Sequence, residues 1–149
     1  MEIKPSEKNP ALRKKSIPVE KITPEILKLI KEMKEALINA ENGVGLAAPQ
    51  VGVNIQLFII IDELSKDGHT VFINPEITQV SKKMAIEEEG CLSLPGKWNE
   101  LPRADKVTIK ATDENGQKFK MKAKGISARL MLHEMDHLNG VLFVDHLKK

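Results

Sequence analysis

"ISARLMLHEMDHL", residues 126–138, is the stretch around which the rest of the chain has to be arranged. Ile126, Leu130, Met131, Leu132, Met135 and Leu138 occupy most of its circumference at helical spacing, and a helix apolar nearly all round is a buried helix. The same stretch carries His133, Glu134 and His137. Residues four apart stand above one another on one helix face, so both imidazoles can reach a single ion. Glu134 sits one residue round from His133, where it can approach a water at that ion without ligating the ion. Imidazoles that hold a metal and a carboxylate that takes a proton from water are the working parts of a hydrolytic site. Two histidines and a glutamate inside a core would be costly unless something bound them.

A hydrolytic metal site uses three protein ligands and leaves one position open. Only 12 residues follow His137, and they offer Asp145 and His146. The better candidate lies upstream, in "EEEGCLSLPG" (87–96). Cys91 is the only thiol of the chain, and Gly90 beside it lets backbone approach closely. A thiolate is a strong ligand for first-row metals. The plainer alternative for Cys91 is a small buried hydrophobe. Pro95-Gly96 reads as a turn.

Length and composition fit this reading. The chain has 149 residues, which predicts one domain over 1–149, and a lone cysteine excludes an internal disulfide. Net charge is +2, with lysines and acids mixed along the sequence, so no basic face stands out and no direct nucleic acid binding is expected. The N-terminus lacks the apolar core of a secretory signal, and the longest apolar run, "VNIQLFIIID", is too short to span a bilayer. No membrane association and a cytoplasmic location are the expectation.

Working back towards the N-terminus, "KVTIKATDENGQKFKMKAKG" (106–125) alternates on both sides of Asn115-Gly116, which predicts a hairpin with positive φ at the turn. "IQLFIIID" (55–62) and "TVFINPEI" (70–77) read as strands. "TPEILKLIKEMKEALINAENG" (23–43) is an amphipathic helix, with Thr23 as cap and Pro24 at its first position. Between helix and strand lies "GVGLAAPQVG" (43–52). A dinucleotide loop follows a strand and opens a helix. This segment does the reverse, so its glycines point instead to close approach of backbone to something. Helix, several strands, then a buried helix predicts an α+β fold: antiparallel β-sheets around a central buried metal-binding helix, plus an N-terminal helix.

Taken together, "GVGLAAPQ" (43–50), "EGCLS" (89–93) and "HEMDH" (133–137) resemble the three signature segments of the peptide deformylase family, in order and at usual separations. "NPALRKK", "INPEI", "LPRADKVTIKATDENGQ" and "LNGVLFVDHL" also look like family sequence, so the resemblance covers nearly the whole chain. It implies an enzyme that removes the formyl group from N-formyl-methionyl peptides and releases formate. By the same resemblance Cys91, His133 and His137 hold the metal and Glu134 is the general base and acid. The Gln50 amide and the Leu92 backbone N–H hold the carbonyl oxygen, and Gly45 gives backbone contact to substrate. The ion implied in the cell is Fe(II), with Zn(II), Ni(II) or Co(II) able to take its place, and ribosome proximity is the implied partner setting. Val44, Ile126 and Leu130 are candidates for an apolar pocket that takes the methionine side chain.

Asp136 lies inside the motif but off the metal face of the helix; a buried carboxylate needs a partner, and Arg103 is the candidate. Glu89 is a candidate for orienting backbone near the site. Three features depart from the family pattern: Leu132 stands where Gln is common, Glu87 stands near the pocket where an apolar residue is common, and no further C-terminal helix is expected after "VDHLKK". Trp98 reads as packing. Two other readings use the same helix: a small zinc peptidase with a third ligand other than Cys91, and a closed, non-catalytic metal domain with His69 or His146 as the fourth ligand.

Overall fold

Thr23 begins the first helix, α1 (Pro24–Asn39), and its hydroxyl oxygen accepts from Ile26 N–H at 3.3 Å. The computed structural model describes residues 3, 9–40, 43–65, 67–91 and 94–141, with backbone alone over 88–91 and 94–99. Ile30, Met33 and Leu37 form the buried stripe of α1, and the helix ends at Ala40.

Among the described residues seven strands follow: β1 (Gly45–Ala47), β2 (Leu57–Ile60), β3 (Val71–Val80), β4 (Met84–Cys91), β5 (Leu94–Ala104), β6 (Lys106–Thr112) and β7 (Lys118–Lys124). The final described helix is α2 (Ile126–Leu138). β1, β2, β3, β6 and β7 form one antiparallel sheet in that spatial order, and β4 pairs with β5 in a separate hairpin. The expected α+β architecture is therefore observed, with α2 carrying the histidines.

The sheet separates two apolar layers. On one face the α1 stripe packs on Leu46, Leu57, Ile59, Val71 and Ile73. On the other, α2 packs Ala128, Leu130, Met131 and Leu138 against Phe58, Phe72, Val107, Ile109, Met121 and Ala123. β2 is buried at every position for this reason, which is why "LFII" reads as a continuous apolar run without alternation. β7 lies beyond the reach of α1 and alternates instead.

Three local predictions are refined. Pro75 sits inside β3, and the pairing of β3 with β6 shifts register between Ile73 and Glu76. A proline cannot donate to the ladder, so the strand bulges there. Asn74, at φ +51°, turns its amide onto Val19, accepting from its N–H and donating to its carbonyl, both at 2.7 Å. In the β6–β7 turn only Gly116 has positive φ (+82°); Asn115 does not. Asp113 Oδ1 accepts from Asn115 and Gln117 N–H, so the loop is a longer turn closed by one left-handed glycine. Pro95-Gly96 is not a turn: both lie within β5, and the chain reverses between Cys91 and Leu94, which are paired across the hairpin.

Candidate active site

The placement of α2 explains the site's depth. α2 lies between the large sheet and the β4–β5 hairpin, which takes the polar residues of its inner face out of bulk solvent. His133, Glu134 and His137 are all buried, with Glu134 only 2 % exposed. The Nε2 atoms of His133 and His137 face each other at 3.2 Å, with the rings nearly perpendicular (82°). With metal–nitrogen bonds of about 2.0–2.1 Å, two nitrogens at that separation subtend about 100° at one ion, close to tetrahedral. The pair therefore fits a metal ion.

Among the described residues no group of three His, Cys, Asp or Glu side chains comes together. The side chain of the expected third ligand, Cys91, is outside the described part. Its backbone closes the end of β4, in the hairpin packed along α2. Leu92, the side chains of Glu89 and Trp98, and Asp145 and His146 also lie outside the described residues. His69 does not approach the histidine pair. It stacks on Phe119 at 3.8 Å and pairs with Asp67 at 3.0 Å, at the tip of the β6–β7 side of the molecule.

β1 runs against the Glu134 face of α2. A Cβ built on Gly45 would lie 2.8 Å from Glu134 Oε2 and 2.7 Å from Leu130 Cδ1. Glycine is required here because the carboxylate occupies the space a side chain would take. The clash is with flexible side-chain ends rather than backbone, so Gly45→Ala is expected to fold normally while displacing the carboxylate. Misplacing a reacting group by about 1 Å can cost about 100-fold. Gly45→Ala should therefore lower kcat by about 10- to 100-fold with little change in melting temperature. A variant that melted many degrees lower would show that the glycine serves packing instead.

The turn after β1 (Ala48–Val51) presents Gln50, which is buried. Gln50 Oε1 accepts from Ala47 N–H at 2.9 Å. That contact commits the amide oxygen and fixes which way the carboxamide points. Asn9 anchors the same turn, donating from Nδ2 to the Pro49 carbonyl at 2.6 Å in a buried contact. Sequence reading missed Asn9, whose only signal was its place before Pro10.

Arg103 Nη1 donates to Asp136 Oδ2 at 2.7 Å, so the partner expected for Asp136 is the one found. This ion pair fastens β5 to α2. A second tie was missed: Arg129, buried one turn before His133, donates from Nη2 to the Ala85 carbonyl of β4 at 2.8 Å. A charged residue inside an apolar helix was the available signal. Leu132 is partly buried against the apolar layer under α2, so it serves as packing at the position where it departs from the family pattern. Of the pocket candidates, Leu130 is buried against Gly45, Val44 is 40 % exposed beside it, and Ile126 is 66 % exposed one turn further along α2. Glu87 is exposed on β4.

Comparison with known proteins gives a consistent result. The polypeptide deformylase family model matches residues 5–149. The peptide deformylase of Clostridium botulinum is 49 % identical over 138 residues, covering 93 % of this chain and 90 % of that protein. The chain is similar to the crystal structure of peptide deformylase from Thermotoga maritima, at a TM-score of 0.90 and 36 % identity, over 99 % of this chain and 97 % of that one. It is likewise similar to a probable peptide deformylase from Synechococcus phage S-SSM7, at a TM-score of 0.87 and 37 % identity, over 98 % and 99 %.

Proposed function

The chain belongs to the polypeptide deformylase family, metal-dependent hydrolases that remove the N-terminal formyl group from nascent peptides, and from that premise we propose the roles its own residues take. The observation that carries the assignment is the convergence of His133 and His137 Nε2 at 3.2 Å beside the buried Glu134 carboxylate.

His133, His137 and Cys91 would hold the ion. When bound, the ion supplies Lewis-acid chemistry, acidifying water and polarising a carbonyl. Glu134 takes the proton from the attacking water, whose oxygen bonds to the formyl carbon. Negative charge then builds on the former carbonyl oxygen, and the Gln50 NH2 and Leu92 N–H are the donors that meet it. As the carbon–nitrogen bond breaks, Glu134 returns its proton to the leaving amine. The products are formate and a free N-terminal methionine. Gly45 serves this cycle by leaving room for the carboxylate, and its backbone is available to the substrate's end. Leu130 and Ile126 stand one turn apart in the N-terminal half of α2 and Val44 directly precedes β1, and we read the three as the lining for the methionine side chain.

Fe(II) is the proposed ion in the cell, with Zn(II), Ni(II) or Co(II) as substitutes at the same ligands. Fe(II) beside a thiolate makes the enzyme sensitive to oxygen. We read 1–149 as one catalytic domain working in the cytoplasm close to the ribosome. No helix of the described residues is long and apolar enough to cross a membrane.

The direct test is formate release from a formyl-Met-Ala peptide by protein of assayed metal content. Protein loaded with Fe(II), Ni(II) or Co(II) is expected to turn over. Inactivity with all three would overturn the reading.

A further inference from the structure

The exposed charge of the chain is sorted by its fold. Along β6 and β7 the residues Val107, Ile109, Ala111, Met121 and Ala123 point into the layer under α2. The alternate positions on the opposite face are Lys106, Thr108, Lys110 and Thr112 of β6 and Lys118, Lys120, Lys122 and Lys124 of β7; the six lysines are exposed and Thr108 is buried. This is the α1 side of the sheet, beyond the strands α1 covers. In the observed register Lys106 lies opposite Lys124, and Lys110 opposite Lys120. Like charges placed directly opposite destabilise a sheet, so the Lys106–Lys124 and Lys110–Lys120 pairings do not serve stability. Neither strand contains an acid. The neighbouring acids are Glu76, opposite Lys110 on β3, with Asp105 just before β6 and Asp113 and Glu114 in the turn. A net charge of +2 for the whole chain thus hides a strongly basic face, which the mixed order of lysines and acids in the sequence does not reveal.

Lysines on an edge strand can simply block edge-to-edge pairing. That accounts for β7, which is the sheet edge, and Glu76 stands opposite Lys110, but neither accounts for Lys106 on interior strand β6. At one end of the face Lys106, Lys122 and Lys124 surround a depression of about 550 Å³ walled by Ser81, Thr108 and Gln79. Cations ring it and neutral hydrogen-bonding groups line it, as suits a phosphate.

We propose that this lysine face binds the phosphate backbone of double-helical RNA. Lysines two apart on a strand repeat every 6.5–7 Å or so, comparable with the spacing of successive phosphates. Among the described residues the face presents no aromatic side chain on which single-stranded bases could stack, so backbone recognition of a structured helix is what it offers. A membrane would call for bulky apolar anchors beside the cations, and the exposed apolar side chain at this site is Val80. The choice of RNA rests on the family activity, because a nascent peptide is found beside the RNA that directs its synthesis. The face lies across the sheet from α2, so RNA and formyl peptide can be held together.

The test uses metal-loaded full-length protein and a fluorescent 20-base-pair RNA hairpin, titrated between 50 and 250 mM salt. The triple variant Lys106→Ala/Lys122→Ala/Lys124→Ala is expected to bind at least tenfold more weakly at 50 mM salt. Its log–log salt slope should be shallower by about three, one for each lysine removed. Deformylation of the short formyl peptide should be unchanged, so this result stands or falls separately from the catalytic assignment. Lys122→Glu, a single exposed change on the edge strand, gives the same reading if the triple variant folds poorly. Unchanged hairpin affinity in the variants overturns the proposal. So does tighter binding of wild type to a DNA duplex or to phosphatidylglycerol vesicles than to the hairpin.

Discussion

Glu134→Gln is expected to lower kcat/KM for a formyl-methionyl peptide by about 10²- to 10⁴-fold, the range for loss of a positioned general base. The change is close to isosteric, and the space around Oε2 is already defined by the missing side chain of Gly45. Packing should therefore survive. Glu134 is not one of the proposed ligands, so metal content should match wild type. That combination, bound metal with chemistry lost, distinguishes a base from a ligand. A variant purified without metal would make Glu134 a ligand or a support for one. A variant within threefold of wild-type activity would remove it from the mechanism altogether.

Gln50 offers a sharper dissection, because its two ends do different things. The oxygen accepts from Ala47 N–H; the NH2 is the proposed donor to the developing oxyanion. Removing one such donor costs about 10²- to 10³-fold in kcat. Gln50→Met deletes both ends and leaves Ala47 N–H buried without an acceptor, for about 1–3 kcal/mol of stability. Gln50→Glu keeps the acceptor and exchanges the donor for a second acceptor. Both variants should lose activity to a similar degree, and Gln50→Glu should retain more of the wild-type melting temperature. If Gln50→Glu were as active as wild type, the side chain would be a structural brace for the turn. Gly45→Ala, tested beside these, should change kcat far more than KM, since its effect passes through Glu134.

Parts of this site were legible because short-range spacing fixes them. His133 and His137 face one point because residues four apart on a helix always do, and α2 had to be buried because it is apolar nearly all round. Asp136 could be matched to Arg103 since a buried carboxylate demands a cation. Other parts depend on contacts between segments far apart in sequence. That Gly45 makes room for Glu134 follows only from β1 lying across α2. Arg129 reaching Ala85, and Asn9 holding the Gln50 turn, needed the same long-range placement. The strand through Pro95 and Gly96 was misread as a turn because local propensity for that pair is overridden by eleven residues of β5 pairing with β4.

By itself the sequence determined the chemistry on offer: two imidazoles and a carboxylate on one buried helix, a single thiol, a glycine-rich segment ending in Gln50, and lysines at every second position of the strand 118–124. These are period-2 and period-3.6 patterns, and covalent geometry alone converts them into faces. Only the tertiary structure decided which faces meet. It set the carboxylate against a glycine 89 residues away (134 minus 45) and fastened the β4–β5 hairpin to the metal helix through two arginines. It also aligned lysines from two strands into one basic surface on the far side of the sheet. Pairing register and packing are collective properties of the folded chain, set by burial of apolar layers that no local window of sequence contains.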